Sequence, residues 1–211
     1  VDSLKATLEE KNVILIDDFI PSSKMEWLLN EIKKSRGRFE REGYTGTKTI
    51  RDHKDPRGCG TRIITDERNL LRSIWRTNLW YEETMEVCNK YPIYKHARIT
   101  GGVGDSTLLS VYYDGDYYGP HIDTDMECIV TCVLMLNFPE ASFSGGNLKI
   151  EGTEIPFVHN RLIMFPSCLE HEVTKIENNS SDYFKQRFTL QHFISAVRLK
   201  KILLDESRNF Q

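Results

Sequence analysis

The second half of the chain alternates short β-type segments with clusters of turn-forming residues. Alternating or β-branched runs fill residues 108–113, 129–136, 147–150, 162–165 and 188–194. Glycine, aspartate and serine separate these runs, for example at Asp114-Gly115-Asp116 and Ser144-Gly145-Gly146. Many short strands at regular spacing are typical of a double sheet or jelly roll. We therefore predict a jelly-roll core, also described as a double-stranded β-helix, over residues 96–198.

The first half has the patterns of helices that support such a core. Residues 12–20 predict a buried strand that ends at Pro21, and Ser22 or Ser23 can cap the helix that follows. The apolar stripe of this helix is formed by Trp27, Leu28 and Ile32.

A second helix is predicted over residues 69–91, where large apolar residues recur near helical spacing. They are Leu71, Ile74, Trp75, Leu79 and Met85. The chain of 211 residues is the size of one domain. We predict an α+β fold with helical support in residues 1–95, the jelly-roll core, and a C-terminal tail over residues 199–211.

The segment 36–60 is a glycine-rich excursion within a basic part of the chain. Residues 33–76 contain 13 basic and 6 acidic side chains, a net charge of +7 in a chain whose total is −3. Long loops of this kind are often functional. One hypothesis is that residues 36–60 form a substrate-covering lid, and a disordered surface loop is the alternative. The basic residues of the wider segment 33–76 could recognise an anionic substrate, and a solvated helix-and-loop surface is the alternative.

The five cysteines predict neither a disulfide framework nor a zinc knuckle, because their number is odd and no Cys-x-x-Cys occurs. Cys128 and Cys132 are four residues apart in a strand-like segment, so they are expected to face the same way in the core. No apolar run is long enough to cross a membrane, and the start of the chain lacks the apolar segment of a signal peptide. We expect a cytoplasmic protein without a membrane partner.

One short motif and one distant histidine supply a set of metal ligands. His121 and Asp123 are two apart, so in an extended strand they point to one face. His171 follows Asp123 by 48 residues, and Arg187 follows by a further 16. Two imidazoles and one carboxylate form the facial triad of non-haem Fe(II) sites, and a guanidinium suits a carboxylate ligand. A chance pattern of surface or core histidines is the alternative.

The surrounding residues resemble those of the iron(II)- and 2-oxoglutarate-dependent dioxygenases. The similarity spans residues 106–194 and includes the runs Tyr-Tyr-Asp-Gly-Asp-Tyr-Tyr-Gly-Pro-His-Ile-Asp (112–123) and Thr-Cys-Val-Leu-Met-Leu-Asn (131–137). It continues through Gly145-Gly146, residues 162–165, His171 and the segment from Arg187 to Phe193. The prolyl 4-hydroxylase-like branch, and the oxygen-sensing prolyl hydroxylases within it, are the most similar.

This resemblance implies a role for each matching residue. His121, Asp123 and His171 would ligate Fe(II), and Arg187 would bind the far carboxylate of 2-oxoglutarate. Tyr112 or Tyr113, together with Thr189, would hydrogen-bond the same carboxylate. Thr131 and Asn137 would contact the residues that bind the metal or the cosubstrate without binding either themselves. The implied cofactors are Fe(II), the cosubstrate 2-oxoglutarate and O2, with ascorbate as a further candidate. No catalytic residue beyond the metal ligands is expected.

Two departures from the family pattern stand out. The gap from His171 to Arg187 is longer than is common in this branch, so Lys185 is a fallback for the carboxylate partner. The sequence has Leu134-Met135 where related enzymes often carry a second tyrosine, which leaves one cosubstrate contact to be supplied elsewhere.

The resemblance favours prolyl hydroxylation of a peptide or protein. A hydroxylase of a free amino acid or another small molecule is the first alternative. A non-catalytic jelly-roll binding module is the alternative of another class. Nucleic acid is a disfavoured partner, because repair enzymes with this triad carry a second arginine soon after the first, and here the next is Arg198. The oligomeric state is not indicated.

Overall fold

The computed structural model describes residues 2–36, 40–41, 62–65, 75, 82–95, 106–123 and 128–195. Its helices are α1 (Asp2–Glu10), α2 (Ser22–Lys34) and α3 (Glu82–Cys88). Its strands are β1 (Ile14–Ile16), β2 (Glu40–Arg41), β3 (Arg62–Thr65), β4 (Ser106–Tyr112), β5 (Tyr118–His121), β6 (Cys128–Asn137), β7 (Ser144–Gly145), β8 (Leu148–Ile150), β9 (Thr153–Ile155), β10 (Arg161–Pro166), β11 (His171–Val173), β12 (Ile176–Glu177) and β13 (Arg187–Ser195).

Two antiparallel sheets form the core. The larger has seven strands in the order β1-β10-β6-β13-β4-β3-β2, and the smaller has four in the order β5-β11-β8-β9. A two-stranded sheet pairs β12 with β7. Each of the five predicted runs forms a strand, and the α+β jelly-roll architecture is confirmed. Among the described strands, the sheets do not close into a continuous barrel.

Strand alternation divides the interior into two apolar clusters. On β6, Cys132, Leu134 and Leu136 point to the cluster that contains α2, whereas Val133 and Met135 point to the cluster formed with the smaller sheet. We call the side of the larger sheet that carries Val133 and Met135 the inner face. Inner-face residues of β4, β6 and β13 therefore line the space between the two sheets.

The predicted strand over residues 12–20 is shorter in the structure. Asn12 and Asp18 have φ values of 57° and 53°, a left-handed conformation that ends an extended segment on both sides of β1. After β1, the Asn160 side chain fixes the backbone at Ile20. It accepts a hydrogen bond from Ile20 N and donates one to Ile20 O, both at 2.9 Å.

The predicted start of α2 was correct, but two details were wrong. Pro21 occupies the N-cap position and no side chain caps the helix. Trp27 is 40% exposed, whereas Met25, Leu28 and Ile32 are the buried residues. Burial against β strands selects the stripe of Met25, which lies one helical turn before Leu28 and Leu29.

Several predictions lie largely outside the described residues. Of the second predicted helix, residues 69–91, only Trp75 and residues 82–91 are described, and Trp75 and Met85 are buried there. Of the lid segment 36–60, only Arg36 and β2 are described. Cys59 and the tail 199–211 are not described. Within the described part of the chain, the cysteines are free, and no helix is long and apolar enough to cross a membrane.

Candidate metal centre and anion pocket

Strand pairing brings the three predicted metal ligands together. His121 ends β5, and His171 begins β11 and is its direct antiparallel partner. Asp123 follows His121 by two residues, and its backbone N–H donates to Ser167 O at 2.9 Å. One ligand atom from each residue lies within 4.8 Å of the others. This donor set fits a divalent transition metal and leaves coordination positions open.

Backbone carbonyls orient both imidazoles. His121 Nδ1 lies 2.8 Å from Gly119 O, and His171 Nδ1 lies 3.0 Å from Leu169 O. Because a carbonyl only accepts, each Nδ1 donates to it, which leaves Nε2 as the candidate ligand atom. The Nε2 atoms lie 3.5 and 3.3 Å from the Asp123 carboxylate oxygens. Tyr118 also stacks on the His121 ring with centroids 3.9 Å apart.

The Asp123 carboxylate is fixed and ionised. Burial acts to raise its pKa, but contacts with His121 and His171 outweigh burial and hold the pKa below its ordinary value. Thr131 Oγ1 donates to Asp123 Oδ2 at 2.7 Å. The predicted supporting position of Thr131 therefore corresponds to a direct contact with a candidate ligand.

A buried guanidinium forms a second polar centre at the start of β13. Arg187 has no exposed area, and its Nε donates to Gly146 O at 2.7 Å. Its Cζ lies 4.6 Å from the Tyr112 ring centroid and 5.6 Å from that of Phe157. These contacts fix the plane of the guanidinium.

The polar atoms around this guanidinium lie close together but lack hydrogen bonds of normal geometry. Arg187 Nη1 and Nη2, Tyr112 Oη and Thr189 Oγ1 are buried in this way, although Tyr112 is near enough to Arg187 and Thr189 for both to lower its pKa against the effect of burial. No carboxylate among the described residues forms an ion pair with Arg187. Burial lowers the pKa of Arg187 to about 10, and burial raises that of Tyr112, against the opposing effect of Arg187. We call these three side chains the anion pocket, because a bound anion would supply the missing partner.

The structure distinguishes between the alternatives left open by the sequence. Tyr112 ends β4 as the direct partner of Arg187, whereas Tyr113 packs against the α2-side cluster. Lys185 lies in the 3-10 turn Tyr183–Lys185 and lines a surface groove with Ser142 and Asn179. Arg187, and not Lys185, is the cation on the inner face.

Asn137 pairs with Arg187 in the sheet, but its side-chain amide donates to the neighbouring Phe138 O at 2.7 Å. Met135, the residue in the position of a family tyrosine, is fully buried and pairs with Thr189. It offers no hydroxyl, so the tyrosine hydroxyl of the pocket comes from Tyr112.

Cys128 and Cys132 do not face the same way, contrary to expectation. A register shift falls between Ile194 and Ser195, which pair with Val130 and Cys128. The extra residue turns Cys128 toward the metal centre, where its Sγ lies 4.0 Å from Thr131 Oγ1. Burial, and then the Asp123 charge, raise the pKa of Cys128 to about 11, so the thiol is protonated at neutral pH.

Sequence reasoning missed the residues that position the predicted ones. Tyr118 stacks on His121, and Phe157 covers Arg187 from a loop after β9. An aromatic residue in a loop carries no sequence signal of its partner. Gly146 was noted for its similarity to the family, but not for its contact with Arg187.

The comparisons with known proteins agree with this geometry. The family model described as the 2OG-Fe(II) oxygenase superfamily matches residues 107–195. The segment that forms most of the β core is therefore similar to that superfamily. This similarity, together with the His-Asp-His cluster, supports an oxidoreductase that would use Fe(II), 2-oxoglutarate and O2. No curated protein matches the chain.

Solved structures of 2OG-Fe(II) oxygenases share the fold at low sequence identity. A Pseudomonas putida prolyl-4-hydroxylase is 16% identical with a TM-score of 0.60, covering 92% of this chain and 97% of its own. A Trichoplax adhaerens prolyl hydroxylase, solved with a peptide fragment of the hypoxia inducible factor oxygen degradation domain, is 18% identical with a TM-score of 0.59 and coverages of 95% and 91%. A viral collagen prolyl hydroxylase from Paramecium Bursaria Chlorella virus-1, solved with 2OG, is 17% identical with a TM-score of 0.52 and coverages of 86% and 94%.

Proposed function

We propose that this protein is an Fe(II)- and 2-oxoglutarate-dependent dioxygenase that hydroxylates a prolyl residue of a peptide or protein. One observation carries the proposal: a His-Asp-His cluster with an ionised carboxylate, and a buried guanidinium without a carboxylate partner among the described residues, border the same apolar cluster between the sheets. Phe165 of that cluster packs edge-on against His171, with centroids 4.7 Å apart, and Tyr112 packs on Arg187.

His121 Nε2, His171 Nε2 and an Asp123 oxygen would hold Fe(II). Bound Fe(II) would supply the redox chemistry that couples oxidative decarboxylation of 2-oxoglutarate to hydroxylation of a C–H bond. The chain itself orients the ligands. The Gly119 and Leu169 carbonyls fix the two imidazoles, and Thr131 fixes the carboxylate.

Arg187, Tyr112 and Thr189 would hold the distal carboxylate of 2-oxoglutarate. A planar guanidinium with two free nitrogens suits a two-oxygen anion, and two hydroxyls can add hydrogen bonds. Because the pocket is closed to water, these interactions are stronger than on the protein surface. The closed pocket also keeps water from competing for the carboxylate.

Two exposed apolar side chains close to the triad in sequence are compatible with a peptide substrate. Ile122 lies between two candidate ligands and is 49% exposed, and Tyr117 is 39% exposed. Exposed apolar side chains can contribute to binding a partner such as a peptide. Structures of prolyl hydroxylases with the same fold, one solved with a peptide, support the same choice.

Anaerobic titration tests the cofactor half of the proposal. With Fe(II) present, added 2-oxoglutarate should produce the weak visible charge-transfer band of a bidentate chelate. His171→Ala should lose the band, because it removes a ligand. Arg187→Met should weaken cosubstrate binding, whereas the matched loss of a cation in Lys185→Met should not. Folded protein that gives no band would overturn the assignment.

A substrate panel tests the other half. Succinate release is expected with proline-containing peptides and not with matched peptides in which alanine replaces proline. Turnover of free proline instead of peptides would indicate an amino-acid hydroxylase. A band without turnover of any peptide or amino acid would favour a binding module.

A further inference from the structure

Gln191 lies on the inner face of the larger sheet, between the anion pocket and the triad. In β13 it is two residues beyond Thr189, and it pairs with Val133 of β6. Thr131, which holds Asp123, is the next inner-face residue of β6. Diagonal neighbours on adjacent strands are about 7–8 Å apart. The Gln191 side chain can therefore reach the space between the pocket and the triad.

The Gln191 side chain is not fully enclosed by protein. It is partly exposed, whereas Thr189, the preceding inner-face residue of β13, is 1% exposed. The inner face of β13 therefore becomes more accessible from the anion pocket toward Gln191, where a polar side chain can contact a ligand.

A buried hydroxyl sets the orientation of the amide. Ser110 Oγ donates to Gln191 Oε1 at 3.0 Å, and Ser110 has no exposed area. Because the hydroxyl engages the carbonyl end, the amide nitrogen is the end left to meet a ligand. Among the described residues, none accepts a hydrogen bond from Gln191 Nε2.

We propose that Gln191 Nε2 donates a hydrogen bond to the metal-chelating carboxylate of the 2-oxo acid. The inference rests on the proposed function, since it assumes that an oxo acid spans the distance from Arg187 to the triad. Ser110 is the positioning residue, because it holds the amide with its donor end toward the ligand. A hydrogen bond to a charged group is worth more than one between neutral groups.

Binding measured without turnover tests this role. Protein loaded with Mn(II), which occupies such sites without supporting the reaction, is titrated with 2-oxoglutarate by calorimetry. Gln191→Leu should raise the Kd about tenfold or more, the loss expected for one charge-assisted hydrogen bond. Ser110→Ala should raise it less, because the donor remains but can rotate. Asn179→Leu, which removes an exposed amide from a loop, should leave it unchanged.

Two further measurements separate the possible failures. The Mn(II) affinity and the melting temperature of each variant report on the triad and on the fold. If Gln191→Leu lowers only the melting temperature and leaves the Kd for 2-oxoglutarate unchanged, the inference is wrong while the proposed function stands. If the Mn(II)-loaded wild-type protein does not bind 2-oxoglutarate, both are wrong.

Discussion

Gly146 is the backbone position on which the anion pocket depends most directly. Its φ of +65° lies in the left-handed region. A Cβ built there would lie 2.5 Å from Arg187 Cδ and 2.8 Å from Arg187 Nε, and would also overlap Ile176 Cδ1. The Arg187 side chain cannot move aside easily, because it is packed between the rings of Tyr112 and Phe157 and bonded to Gly146 O.

We therefore expect Gly146→Ala to destabilise the fold and to disturb the pocket. The left-handed conformation costs an alanine about 1–2 kcal/mol, and overpacking of a filled interior costs about 1–3 kcal/mol. The expected loss of unfolding free energy is therefore about 3 kcal/mol, a large part of the ~5–15 kcal/mol typical of a domain. Displacement of Arg187 should also raise the Kd for 2-oxoglutarate at least tenfold.

Gly152→Ala is the matched control. Gly152 has a φ of +76°, but nothing lies within 4 Å of its built Cβ, so only the conformational cost of about 1–2 kcal/mol applies. Urea denaturation of the wild type and both variants would measure the difference. Equal destabilisation by the two substitutions, with 2-oxoglutarate binding intact in both, would refute the close packing of Gly146 on Arg187.

Three further predictions concern other contacts. Thr131→Val should weaken binding of divalent metal to the triad about 10–100-fold, because the hydrogen bond to Asp123 is lost; Thr131→Ser should retain it, as metal titration would show. Asn160→Ala should lower the unfolding free energy by about 2–4 kcal/mol in urea denaturation, because both backbone groups of Ile20 lose their partner; an unchanged midpoint would contradict this. Burial raises the pKa of Tyr183, so its contribution to stability is present below the unfolded pKa of about 10 and falls as pH rises above it, by ~1.4 kcal/mol per pH unit. Tyr183→Phe should make the loss of stability between pH 9 and 11 shallower, and an identical slope in both proteins would count against the raised pKa.

Local patterns predicted the strands well and the exact face of individual residues less well. Residues 129–136 form β6 as their apolar, partly β-branched run indicates, and successive side chains point to opposite faces because a strand repeats every two residues. The prediction for Cys128 was wrong. At the start of β6 one extra residue forms a bulge, and the side chain before it therefore points to the opposite face of the sheet. Trp27 was assigned to the core because it is large and apolar, but the buried stripe of α2 runs through Met25.

The residues of the candidate site also fall into those that the sequence indicated and those that strand pairing indicated. The identities of His121, Asp123, His171 and Arg187 followed from residue types and from similarity to a family. The choice of Tyr112 over Tyr113 did not, since a turn of uncertain register follows them. Pairing of β4 with β13 favours Tyr112, because the hydrogen-bond ladder sets it directly opposite Arg187.

The sequence by itself determined which segments alternate, where the chain turns, and which side chains can bind a metal or a carboxylate. These properties depend on residues a few positions apart. Only the tertiary structure decided that His171 lies opposite His121, that Phe157 covers Arg187, and that Ser110 holds Gln191 beside the triad. Such contacts join strands and loops that are distant in the chain, and they depend on the pairing register and packing of the whole sheet, which no local pattern encodes.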